Sequence, residues 1–187
     1  MMTATGEFAI ASLSRTGIQP YSPAARRVAR PKEAPRRETL TEEPRAVAFE
    51  LDFANGERLK VKLVGSGHEP TSFWHALDRI EHLSRLPSGW DSYGARPLSA
   101  RAVRRSFELF SSLLDDRTPE PNVIPTREGG LQFEWHRQGI DLEVTCESSG
   151  TVSYYYADSK SGEEREGVNG ATRQAVQEIL RRLSQPA

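Results

Sequence analysis

The chain has little of what marks secreted, membrane-bound or catalytic proteins. Cys146 is its one cysteine in 187 residues, so no intrachain disulfide can form. A lone thiol fits a reducing compartment, where it is expected to be buried. No apolar run approaches the ~20 residues that cross a bilayer. The start, Met1 to Gln19, has no basic opening followed by a continuous apolar stretch, so no signal peptide is expected and the expected location is the cytoplasm. Neither sign of charge prevails. Lys and Arg number 25 against 26 Asp and Glu, a net −1, which argues against nucleic-acid binding by bulk electrostatics. There is no nucleophile elbow, His-Glu-x-x-His, paired-cysteine motif or dinucleotide fingerprint. Gly65-Ser66-Gly67-His68 lacks the glycine spacing and the Lys-Ser/Thr of a phosphate loop. No catalytic residue and no cofactor is expected.

What charge there is lies unevenly. Residues 1–45 carry eight Lys/Arg against five Asp/Glu, and the remainder carries the acidic excess. Pro20, Pro23, Pro31, Pro35 and Pro44 punctuate that first segment and little in it could be buried, so it reads as a disordered basic tail. Phe8 to Leu13 is a short apolar island that could order on a partner. The arginines between 26 and 37, with Arg101, Arg104 and Arg105, carry an alternative reading as a nucleic-acid-binding accessory protein. Residues 46–185 read as a single α+β domain: an antiparallel β-meander with an added hairpin, packed against two or three helices.

The meander is the clearest pattern. From Leu131 to Tyr156 apolar and polar residues alternate over three runs broken by glycine turns. A two-residue loop at Gln138-Gly139 pairs Trp135 with Leu142, Phe133 with Val144 and Leu131 with Cys146. A three-residue loop, Ser148-Ser149-Gly150, then sets Cys146 against Val152, Val144 against Tyr154 and Leu142 against Tyr156. A shorter second loop would turn the apolar set to the wrong face. An earlier hairpin, Val47 to Val64, keeps its faces consistent through a loop at Ala54-Asn55-Gly56, with Lys60 and Lys62 guarding an exposed edge.

Helical periodicity marks Ser72 to Leu86, Ser99 to about Leu114, and Thr172 to Leu183. The last carries Val176, Ile179, Leu180 and Leu183 on one stripe and is expected to cover the meander's inner face. His75 and His82 lie two helical turns apart, about 10 Å, too far to share a metal directly. Between the first two helices, Trp90 and Tyr93 are expected to cap the core, and Asp91 to close an Asx-turn on the Ser92 or Tyr93 amide. Asp158 to Gly170 reads as a polar loop.

The register also sorts the outer face, bringing Gln132, Glu134, His136, Asp141, Glu143 and Tyr155 together. Glu134 opposes Glu143, and like charges facing across strands destabilise by up to ~1 kcal/mol unless something compensates. These residues, with Trp90, Asp91 and Tyr93 at the margin, are the candidate partner-binding surface. The metal or acid–base alternative uses Glu134, His136, Asp141 and Glu143. An open sheet face is poor at excluding water, which favours protein recognition over catalysis.

Four strings carry a resemblance: Trp90-Asp-Ser-Tyr-Gly-Ala95, Ile124-Pro-Thr126, Gly129-Gly-Leu-Gln-Phe-Glu-Trp-His136 and Ile140-Asp-Leu-Glu-Val144. With them, roughly residues 80–157 resemble a widespread group of small uncharacterised bacterial proteins sharing that loop, step and strand pair. The resemblance implies kinship and a bacterial origin, not a mechanism; by analogy, a compact bacterial protein with a basic tail and an acidic face suits the accessory or neutralising member of a toxin–antitoxin or phage-defence gene pair.

Overall fold

The computed structural model describes residues 5–11, 45–65, 71–111, 113–114 and 116–185. In chain order they form β1 (Thr5–Ala11), β2 (Arg45–Asp52), β3 (Arg58–Gly65), α1 (Thr71–Ser84), α2 (Ala100–Phe110), β4 (Asn122–Pro125) and β5 (Leu131–Arg137). β6 (Ile140–Cys146), β7 (Val152–Asp158), β8 (Glu163–Val168), a 3₁₀ turn at Asn169–Ala171 and α3 (Thr172–Leu183) follow. β1, β3 and β2 make a three-stranded sheet in that order, and β4 to β8 a five-stranded meander in sequence order. The fold is α+β.

Turn geometry sets the meander's register. Gln138 and Gly139 both take positive φ, 58° and 83°, as a two-residue hairpin whose twist matches its strands requires. At the next turn the Glu147 N–H donates to the Thr151 carbonyl at 2.8 Å, enclosing a three-residue loop with Gly150 at φ 88°. The pairings are those the alternation predicts: Phe133 with Val144, Trp135 with Leu142, Val144 with Tyr154, Leu142 with Tyr156. Every one of these side chains is buried. The first hairpin also keeps its expected register, with Phe49 opposite Val61 and Leu51 opposite Leu59.

The helices lie against the inner face of the meander. Ser99 caps α2, its side chain accepting the Arg101 N–H, and satisfies one of the donors a helix start leaves free. From α2 the Phe110 ring lies 4.3 Å from Phe133 and 5.9 Å from Trp135, while Phe107 lies 6.0 Å from Phe49 on β2 and 6.1 Å from Phe73 on α1. One helix therefore joins both sheets into a single core. The smaller sheet is tied further by Glu57, whose carboxylate accepts the Ala100 N–H at the start of α2, and by the Ser84 hydroxyl donating to the Asp52 carbonyl. α3 buries Val176, Ile179, Leu180 and Leu183, and packs on β6 and β7 as its stripe predicts.

The structure departs from the sequence reading in several places. Thr5–Ala11, inside the segment read as a tail, forms a strand parallel to β3. A parallel pairing needs a long connection, and local alternation cannot register it. Residues 12–44, with the arginines between 26 and 37, lie outside the described residues. β3 thereby becomes a central strand, so Lys60 and Lys62 face outward from the sheet's middle instead of guarding an edge. The polar loop expected from Asp158 to Gly170 is largely strand β8. It holds because the Arg165 guanidinium lies 4.8 Å over the Tyr156 ring and pairs with Glu178 of α3, while the Tyr154 ring fills the space beside Gly167. α2 ends at Phe110, short of Leu114, as the chain bends into turns.

Truncating the joining helix should be costly: Phe110→Ala is expected to lose about 3–5 kcal/mol in urea denaturation. Cys146 is fully buried, and burial pushes its thiol up to about 12. A thiol-specific reagent at mildly alkaline pH should leave the native protein unmodified and react once denaturant is added.

Candidate functional site: the outer face of the meander

Strand pairing lays one row straight across the sheet: Asn122, Glu134, Glu143, Tyr155 and Glu166. On one side of it runs a row of Ile124, Gln132, Thr145, Ser153 and Val168, and on the other His136, Asp141, Ala157 and Glu164. No lysine or arginine stands at an outward position on these five strands. The smaller sheet mixes its outward charges and pairs four of them: Lys60 lies 3.1 Å from Glu50, and Arg58 2.7 Å from Asp52.

The opposition of Glu134 and Glu143 calls for relief, and an amide supplies it. Gln132 Nε2 donates to Glu134 Oε1 at 2.9 Å and to Glu143 Oε2 at 3.1 Å. Carboxylates only accept, so the amide turns its NH₂ to them and leaves Gln132 Oε1 toward the Thr145 hydroxyl, which donates to it at 3.5 Å. Asn122 Nδ2 donates to Glu134 Oε2 at 3.2 Å. His136 completes the cluster, with Nδ1 2.8 Å from Asp141 Oδ1 and Nε2 3.6 Å from Glu134 Oε2. The Asp141 carboxylate, aided by Glu134, raises the His136 pKa above its ordinary 6.5. Arg101 and Arg105 donate to the carbonyls of Ser149 and Gly150 in the β6–β7 turn.

Toward β8 the face hollows into a trough of about 400 Å³. Thr145 and Ser153 are its small polar members, and Glu143, Tyr155, Glu166 and Val168 also line it. Tyr155 and Val168 are large apolar side chains left 40% and 57% exposed. The trough was not visible in sequence because Glu166 and Val168 come from the unanticipated strand.

The loop candidates form a separate feature. Asp91 closes the expected Asx-turn, accepting the Tyr93 N–H at 2.8 Å, and it also takes the Ala95 N–H and Arg127 Nε. These bonds, the Ala95 amide foremost, hold its carboxyl below the usual carboxylate range. Trp90 is half-buried and donates to the Arg96 carbonyl. Tyr93 does not cap the core: it is 81% exposed, with the Arg127 guanidinium 5.9 Å from its ring centre. The glycine-bounded loop pins itself through Asp91 and Arg127, so no packing is required of Tyr93. These bonds run within the loop and to the β4–β5 turn, not to the outward side chains of the sheet.

Among the described residues no three of His, Cys, Asp and Glu are placed to hold a metal ion. His136 and its carboxylates are satisfied by one another and by amides. No family model, curated protein or solved structure matches the chain.

Removing the bridging amide should expose the repulsion it offsets. Gln132→Ala is expected to destabilise the fold by roughly 1 kcal/mol at low salt, and Glu143→Gln in the same chain to recover most of it. Because His136 has a higher pKa folded than unfolded, its stabilisation is complete below pH 6.5 and fades as pH rises through the folded value. Its half-exposed ring keeps the effect under ~1 kcal/mol, and His136→Gln should flatten the stability profile in that window.

Proposed function

We propose that the protein is a non-enzymatic docking module that binds a basic surface of another protein through the outer face of its meander. One observation carries the reading: Glu134, Asp141, Glu143, Glu164 and Glu166 share a face with no outward lysine or arginine, while the smaller sheet of the same molecule mixes both signs and pairs Lys60 with Glu50 and Arg58 with Asp52. A surface that only needed solvation has no reason to segregate sign so completely. The trough adds shape. A lysine or arginine stem can lie on Tyr155 and Val168 with its head between Glu143 and Glu166, apolar body and charged tip each meeting its complement. Such a face is the equipment an accessory or neutralising member of a defence or toxin–antitoxin pair would need against a basic partner. The same field repels phosphate, which disfavours nucleic acid at this surface. Among the described residues no helix is long and apolar enough to cross a membrane.

The reading is tested with the partner that co-purifies with the native protein. Glu134→Arg combined with Glu143→Arg should keep the far-ultraviolet circular dichroism of the parent and weaken that partner by about a hundredfold or more, since opposed charges add repulsion to lost attraction. Unchanged affinity in the folded variant rejects the surface.

A further inference from the structure

The meander has two edges, and they differ. β4 is four residues long and ends in Pro125, which has no N–H to offer. β8 is six residues of uninterrupted strand without proline, and among the described residues nothing pairs with its outer side. It is also held in place. Arg165 lies over the Tyr156 ring and reaches Glu178 on α3 at 3.5 Å, and the Tyr154 ring fills the space beside Gly167, where a Cβ would stand 2.6 Å from it. β8 therefore presents ordered main-chain donors and acceptors, already extended, beside the trough.

Its outward residues extend the acidic rows. Glu166 stands beside Tyr155, Glu164 beside Ala157, and Val168 beside Ser153. A strand added beyond β8 would set its own outward side chains opposite these three. Basic residues would complement Glu164 and Glu166, and an apolar one would cover Val168. A second copy of the chain is disfavoured at this edge, because its outward carboxylates, Glu164 and Glu166, would add to the same charge. Resting on the docking reading above, we propose that β8 takes an extended segment of the basic partner as a sixth strand, lysine or arginine at alternate positions facing Glu164 and Glu166. Main-chain bonds supply the hold and the alternate side chains the selectivity. The trough receives the basic side chain nearest Glu166.

The experiment uses the full chain and a short dye-labelled peptide in which arginine alternates with threonine, beside a control of the same composition with its arginines in one block. Fluorescence anisotropy reads affinity, and hydrogen exchange reads where the backbone is covered. The alternating peptide should bind more tightly than the block control and slow exchange of amides in residues 163–168. Glu164→Lys with Glu166→Lys should weaken it by about tenfold or more, each reversed pair replacing attraction with repulsion. If the peptide binds, slows no β8 amide and is lost in the Glu134→Arg, Glu143→Arg chain, the added strand is wrong and docking on the face stands. Equal binding of the block control also overturns the added strand. Failure of both peptides to bind at low salt overturns the added strand and the docking reading together.

Discussion

A sheet with helices on one side only must divide its residues by parity. Each strand of the meander gives alternate side chains to the core, where Phe133, Trp135, Val144, Leu142, Tyr154 and Tyr156 meet α2 and α3. Apolar burial of this kind dominates the stability of such a domain and rules out a one-residue slip, which would expose the whole set. The remaining residues have no freedom left in where they stand. Glu134 and Glu143 face each other because their neighbours are buried, and the surface chemistry follows from the interior.

Given that constraint, the molecule handles its two outer faces differently. On the smaller sheet Glu50, Asp52, Arg58 and Lys60 neutralise one another in place. On the meander the relief is partial and comes mostly from neutral groups. Gln132 and Asn122 satisfy carboxylate oxygens without cancelling charge, and His136 contributes a cation only when protonated. Hydrogen bonding removes the local conflict and preserves the negative field that a cationic partner would meet.

How much of this could be read from the chain depended on whether the signal was periodic and local. Gly139 and Gly150 each follow an apolar triplet of period two, so only one loop length kept those triplets on one side, and the register followed. The pairing across the outer face came with it. β8 was hidden because Glu163-Glu-Arg-Glu-Gly-Val168 has almost no apolar content, and its hold on the core is the stem and guanidinium of Arg165 over a tyrosine. β1 was hidden because its partner lies far along the chain. The need to relieve Glu134 and Glu143 was legible, whereas the role of Gln132 was not, since a polar residue two positions away could as well have faced water. Tyr93 misled because an aromatic between glycines usually seeks cover, and here Asp91 and Arg127 lock the loop without it.

Gly167 gives the last strand something unlike its other restraints. A charge pair tolerates small displacements, but a Cβ at this one point would stand 2.6 Å from the Tyr154 ring and force it to move. Sliding β8 by a single residue in either direction would drive the side chain of Glu166 or Val168 into that ring. The strand is thus indexed by a missing atom group, like a key cut with one notch. Whatever else varies along that margin, its alignment is favoured by the side chain that position 167 lacks.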